Sequence, residues 1–273
     1  MPLQRAALMS RCEAPVGALA QLAVVGASTS TNVALAEALA VDDAGWPHVS
    51  ALVADHQTAG RGRAGRDWHT PQGAALTVSF VLRPRGVSRA DYGWLPLLVG
   101  LAATRALGDV GLDARLKWPN DVLLEDPDGE AVPGWGTARK VAGILCEVVG
   151  EAVVAGIGIN VSQGRDELPV PHATSLALAG ARSLDRGELL AALSRRLVDA
   201  VDGWSGGEAE ATRSAVEAAC ATIGQEVVVE VPSGAPVTGR AVRLAPDGGL
   251  VVATAAGEIS VMAGDVRVRA SAQ

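Results

Sequence analysis

The residues 60-GRGRAG-65 carry glycines at the G-x-G-x-x-G spacing of a dinucleotide-binding turn, but the residues after them decide against that fold. A Rossmann turn needs its last glycine to open a helix and an acidic residue about twenty positions on. Here the chain continues 66-RDWHTPQG-73, where Pro71 and Gly73 break any such helix, and the region of position 85 is basic (83-RPR-85). A doubly wound parallel sheet is therefore not expected. The informative residues become Arg61, Arg63 and Arg66. Glycines let a backbone come close to a small ligand, and guanidinium forks hold carboxylates and phosphates with paired hydrogen bonds. Three neighbouring guanidiniums repel one another, so the loop is expected to be mobile when empty and ordered once anions arrive.

Around this loop the pattern predicts a helix over 31–40, with Ser30, Thr31 and Asn32 as capping residues. Strands are expected over 48–57 and 74–84, then a helix over 93–110 and strands over 114–119, 119–125, 140–149 and 151–161. Two helices, near 187–204 and 208–221, close this part. Strands that first alternate with helices and then cluster suggest an α+β fold, a mixed sheet with helices on one face. From Thr222 short strands broken by PSGA, PDGG and AGE predict a small β-barrel, so the expected domains are 1–221 and 222–273. Segment 14–28 reads as a helix or irregular lead-in, and 126–139, rich in Gly, Pro and acids, as a surface loop.

Composition narrows the chemistry. Of 23 basic residues in 273, only Lys117 and Lys140 are lysines. In a chain so biased to arginine, these two mark places where a compact ammonium is needed and a guanidinium will not serve. The net charge of −7 argues against general nucleic-acid or anionic-membrane binding. Three scattered cysteines and no C-x-x-C indicate neither a disulfide framework nor a zinc site, which fits a reducing cytoplasm. No apolar run approaches a membrane span. There is no Walker A lysine, no H-E-x-x-H and no G-x-S-x-G.

What remains is a set of neutral donors and acceptors and cations, with Asp121 the one carboxylate. That set suits joining a carboxylate to a nucleotide phosphate. Two unit charges at 4 Å and an effective dielectric of 20 repel by about 4 kcal/mol, a penalty that interposed cations reverse.

The stretches 30-STN-32, 57-QTAGRGRAGRDW-68, 117-KWPNDV-122, 140-KVAGIL-145 and 156-GIGINV-161 stand in the order found in biotin protein ligases, and the chain resembles that family from Ser30 to Val161. The resemblance implies a class II synthetase-like catalytic domain followed by an SH3-like barrel. It implies that biotin and MgATP give biotinyl-5′-adenylate and pyrophosphate, after which a lysine of a carboxyl-carrier domain takes the biotinyl group and AMP leaves. By the same resemblance Ser30, Thr31, Asn32 and Gln57 line the ureido head of biotin. Arg61, Gly62 and Arg63 wrap its carboxylate and the phosphate, with Arg66 also toward the nucleotide. Lys140 bridges carboxylate and α-phosphate, and Arg63 and Asp121 join it as catalytic candidates. Asn120 and Asn160 contact adenosine, Trp68 offers a stacking surface, and Lys117 orients triphosphate. Asp121 is left with two roles, holding Mg²⁺ or helping to deprotonate the acceptor lysine.

The implied partner is the biotin carboxyl-carrier domain of an acetyl- or acyl-CoA or pyruvate carboxylase, with no nucleic acid and no membrane; the oligomeric state stays open. Only 29 residues precede Ser30, too few for the helix-turn-helix that makes some members repressors, so repression is not expected. Whether 126–139 lies over the site or points away stays open. The main rival is a lipoate or octanoyl transferase, disfavoured by an arginine-rich glycine loop joined to K-W-P-N-D. A second rival, a polyanion-binding module, conflicts with the net charge and the scarcity of aromatic residues.

Overall fold

A computed structural model describes residues 3–268. In chain order the first part comprises α1 (Arg5–Cys12), β1 (Gln21–Val25), α2 (Thr31–Val41), β2 (Ser50–Ala54), the short pair β3 (Gly60–Arg61) and β4 (Asp67–Trp68), and β5 (Ala75–Leu82). Next come α3 (Leu95–Asp109), β6 (Ala114–Lys117), β7 (Asp121–Glu125), β8 (Ala138–Val149), β9 (Ala152–Asn160), α4 (Arg186–Ser205) and α5 (Ala209–Ala219). A second group holds β10 (Glu226–Glu230), β11 (Val237–Leu244), β12 (Leu250–Thr254), β13 (Gly257–Val261) and β14 (Asp265–Val268).

Seven strands form one mixed sheet in the order β1-β2-β5-β9-β8-β7-β6. Among these described strands the β1–β2 pair is parallel and every other pair antiparallel. The five last strands form a separate antiparallel sheet, β13-β12-β11-β10-β14. The lead-in expectation for 14–28 is corrected: Gln21–Val25 is an edge strand beside β2. Five residues are too short a run to show a period, so the pairing with β2 decides their conformation.

Side chains alternate across the sheet, and this separates the core from the site. From β2 and β5, Ala51, Val53, Leu76, Val78, Phe80 and Leu82 belong to the main core with Leu95, Leu98 and Ala102 of α3 and Leu190, Leu193 and Leu197 of α4. The expectation of helices on one face is corrected: the other face carries α2, whose Leu35 and Leu39 cluster with Leu52, Val81, Ala152 and Val154. Beyond that small cluster, the same face turns polar and small. The register Thr77↔Gly158, Gly158↔Gly143, Gly143↔Asp121 and Asp121↔Lys117 lays one row across β5, β9, β8, β7 and β6. From Gly158 to Lys117 this row forms the floor of a cavity.

Candidate active site

The cavity measures about 740 Å³. Every residue singled out from the sequence lines it: Ser30, Thr31, Asn32, Gln57, Arg61, Gly62, Arg63, Arg66, Trp68, Lys117, Asn120, Asp121, Lys140 and Asn160. At one end the start of α2 enters the cavity. Ser30 occupies the N-cap position but its side chain makes no cap hydrogen bond. Instead Gln57 Oε1 accepts from the Thr31 backbone N at 2.7 Å and from its hydroxyl at 3.0 Å. Ser79 Oγ lies 2.7 Å from Thr31 Oγ1 and 2.6 Å from Asn32 Oδ1. Asn32 Nδ2 donates to the Leu145 carbonyl and to Glu147. The expectation of Thr31 and Asn32 as caps is thus replaced by a buried polar network, in which the side chains are fixed by one another.

The Gly/Arg loop closes the side above this network. Ala64 and Gly65 both take positive φ (54° and 71°), which folds the loop back so that β3 pairs with β4. Trp68 is thereby laid on the floor. A Cβ on Gly158 would come within 2.5 Å of its indole, and one on Gly143 within 3.2 Å, so two opposed glycines make the groove that holds the ring. The indole Nε1 is buried without a hydrogen-bond partner. Arg63 donates to Asn120 Oδ1 at 3.3 Å, and Asn120 Nδ2 to the Ile144 carbonyl. Burial pushes the Arg63 guanidinium below its usual range.

Both lysines converge on Asp121. Lys140 Nζ lies 2.6 Å from one carboxylate oxygen and Lys117 Nζ 3.8 Å from the other. Lys140 reaches this face through a break in register. Val122 pairs with Ala142 but Leu123 pairs with Lys140, leaving Val141 as an extra residue on β8. That bulge reverses the alternation, so that Val141 and Ala142 both belong to the core while Lys140 faces the cavity.

At the far end Asn160 Nδ2 donates to the Thr174 carbonyl, and Gln163 donates to Asn160 Oδ1. Its amide ties the segment after β9 to the end of that strand.

Several lining residues carried no sequence signal. The insert expected as a surface loop lies over the site: Val132 and Gly136 pair as a narrow hairpin, and Pro133 and Trp135 line the cavity. Trp135 stacks on His172, centroids 4.1 Å apart and planes 12° apart. Burial pushes the His172 imidazole down, with Lys140 adding to this. From the second sheet, Asp265, Val266 and Arg267 complete the wall, and Arg66 is paired with Asp265. These contacts join residues far apart in sequence through loops, where neither periodicity nor spacing marks them.

Residues 25–163 match the Biotin/lipoate A/B protein ligase family, and residues 222–269 match the Biotin protein ligase C terminal domain. The chain is 36% identical over 250 residues to the biotin--[acetyl-CoA-carboxylase] ligase of Mycobacterium tuberculosis, covering 90% of this chain and 88% of that protein. The chain belongs to the biotin protein ligase family. Another family member, the bifunctional ligase/repressor BirA of Escherichia coli, is 38% identical over 159 residues, 56% of this chain and 46% of that protein. Among solved structures, the biotin protein ligase from Aquifex aeolicus in complex with biotin and ATP superposes with a TM-score of 0.73 at 30% identity, covering 92% of this chain and 99% of that one. The expected fold, a biotin ligase catalytic sheet followed by the family's C-terminal domain, is the one found.

Among the described residues no helix is long and apolar enough to cross a membrane, and none of the cysteines is disulfide-bonded.

Proposed function

We propose that this protein attaches biotin, at the expense of ATP, to a lysine of a biotin carboxyl-carrier domain, with residues 1–221 as the catalytic domain and 222–273 as a C-terminal domain. The observation that supports it best is the convergence of five cations, Arg61, Arg63, Arg66, Lys117 and Lys140, with one carboxylate, Asp121, on a cavity whose floor includes the opposed glycines Gly143 and Gly158. An apolar bicyclic acid fits the end of the cavity beside the start of α2. Its ureido group meets the donors and acceptors of Thr31, Asn32 and Gln57 with Ser30 beside them, and its carboxylate points toward Arg61, Gly62, Arg63 and Lys140.

The first step forms a bond between a biotin carboxylate oxygen and the α-phosphorus of ATP and breaks the α–β bridge, releasing pyrophosphate. Lys140, Arg63 and Arg66 neutralise charge on the two meeting anions and on the leaving group, and Lys117 takes the triphosphate. Fixed donors of this kind act most on charge that develops in the transition state. Asn120 and Asn160 face the adenosine, and Trp68 is its stacking surface once the ring lifts from the floor. In the second step the carrier lysine's amine attacks the acyl carbon and AMP leaves. Asp121 holds Lys140, a role its ion pairs with both ammoniums support, and receives a proton from the amine once it has attacked.

The side chains do not fit a resident Mg²⁺. Among the described residues no three His, Cys, Asp or Glu cluster to hold a metal, and both oxygens of Asp121 face a lysine. The ion enters as part of MgATP.

The acceptor class is that of the named relative, an acetyl-CoA-carboxylase ligase; a pyruvate carboxylase carrier would present the same lysine chemistry. The match of 222–269 to the biotin branch favours biotin over lipoate. Purified protein should exchange labelled pyrophosphate into ATP only when biotin is added. Exchange supported by lipoate, or by neither acid, overturns the proposal.

A further inference from the structure

Lys117 carries a poorly compensated charge in the cavity. The residue is 7% exposed, and its carboxylate neighbour gives it one oxygen at 3.8 Å while Lys140 holds the other at 2.6 Å. One carboxylate between two ammoniums leaves positive charge in surroundings that disfavour it. Burial accordingly pushes the Lys117 ammonium below the usual lysine range, with Asp121 opposing. Its other close contact is aromatic: Nζ sits 4.1 Å from the ring centroid of Trp135, inside the range where a ring face attracts a cation.

The insert that carries the indole is tied down at two places, and the ring itself is stacked. At the root of the insert Arg139, 4% exposed, donates to the carbonyls of Gly136, Ala138 and Glu130 and lies 3.6 Å from Asp126. Beside the ring, the Gly134 carbonyl accepts from the Val268 backbone N at 3.2 Å, tying the insert to the strand that carries Asp265. The ring itself stacks on His172, whose carbonyl accepts from the Lys140 backbone N at 2.7 Å. An insert that was only a surface excursion would need none of these ties.

We propose that Trp135 is a positioning residue for Lys117. Its ring face holds the ammonium against the cavity wall, at the place where triphosphate oxygens arrive, and keeps it from collapsing onto Asp121 and displacing Lys140. A lysine stem has four rotatable carbons and no geometry of its own, so a rigid partner is what gives the charge a fixed position. The inference rests on the ligase reading, since it is ATP that the placed charge serves.

The test is a mutant cycle in the biotin-dependent pyrophosphate exchange assay, with KM for MgATP, KM for biotin and kcat measured separately. Trp135→Leu should raise KM for MgATP about tenfold, the order of a cation–π contact made away from water. The KM for biotin should stay unchanged, and Trp135→Phe, which keeps a ring face, should recover most of the loss. In a Lys117→Met background Trp135→Leu should add nothing, because the interaction it removes is already gone. Equal losses in both backgrounds would overturn the proposal and make the ring an independent nucleotide contact or a prop. So would a Leu variant that behaves like wild type, or one that loses biotin and ATP together. Wild-type protein without biotin-dependent exchange would instead sink the ligase reading, which separates the two failures.

Discussion

Lys140 shows how much one side chain can be asked to do, and how it can be tested. Its ammonium is 2.6 Å from Asp121 and 5.7 Å from the centre of the Trp68 ring, and a Cβ on Gly143 would stand 3.1 Å from its terminal atoms. A guanidinium is wider and planar and meets a carboxylate through a fork rather than a point charge, so it does not reproduce the position of the ammonium. Lys140→Arg should therefore lower biotin-dependent pyrophosphate exchange by about 10²–10³-fold while biotin binding, followed by calorimetry, persists. Full exchange in this variant would refute the role. The lysine count alone pointed here, because a chain that uses arginine almost everywhere kept lysine at 117 and 140. What composition could not show is that both lysines meet on one carboxylate. Asp121 had two open roles in the sequence because its neighbours across the sheet are decided by strand register, which a single sequence leaves undetermined. Trp135, His172 and Asp265 were invisible for a related reason: each reaches the site from a loop or strand whose local text says only turn or edge.

Strands make the floor, and their pairing is what brings 156-GIGIN-160 and 140-KVAGIL-145 into register. The opposed pair Gly143↔Gly158 leaves a groove that the Trp68 indole fills. Gly158→Ala would place a methyl carbon where the ring lies, at 2.5 Å. One side must yield, and the Gly/Arg loop is the weaker side, since β9 is hydrogen-bonded to both neighbours. The variant should show a changed near-ultraviolet tryptophan spectrum and a loss of exchange activity of about tenfold or more, with Tm moved by less than about 4 °C. Unchanged kinetics, or a large fall in Tm with the spectrum intact, would contradict this. Helices and long strands were readable because their apolar residues repeat with clear periods. By contrast β1 and β14 were missed as short edge strands, and the extra residue Val141, which turns Lys140 to the cavity, is set by pairing with β7 and leaves no mark in composition.

The two sheets act as one body at the site. The C-terminal sheet is attached through buried groups: Trp94 Nε1 donates to the Pro246 carbonyl, Trp118 Nε1 to the Gly248 carbonyl, and the Trp118 backbone N to Thr222 Oγ1. Against these, the Arg66–Asp265 pair at the cavity mouth is more than half exposed on both sides. Exposed pairs contribute about 0–1 kcal/mol, so this one does not hold the sheets together. Its consequence is electrostatic. It turns Arg66 toward the C-terminal sheet, and it places a negative charge near Arg63 and Lys117, beside the proposed triphosphate position. Asp265→Asn should leave Tm within about 3 °C and lower KM for MgATP by up to about fivefold, the factor that a pair of this strength allows. Burial pushes the Asp265 carboxyl up, but the hydrogen bond and charge of Arg66, with Arg63, outweigh it and hold it below the usual range. A carboxylate lowered in this way keeps its charge at neutral pH and loses it only as pH falls through that lowered value. The difference between wild type and Asp265→Asn should therefore be the same at about pH 6 and about pH 8. A raised KM for MgATP in the variant would reverse the assignment, making Asp265 the group that aims Arg66 at the phosphates rather than the one that withholds it.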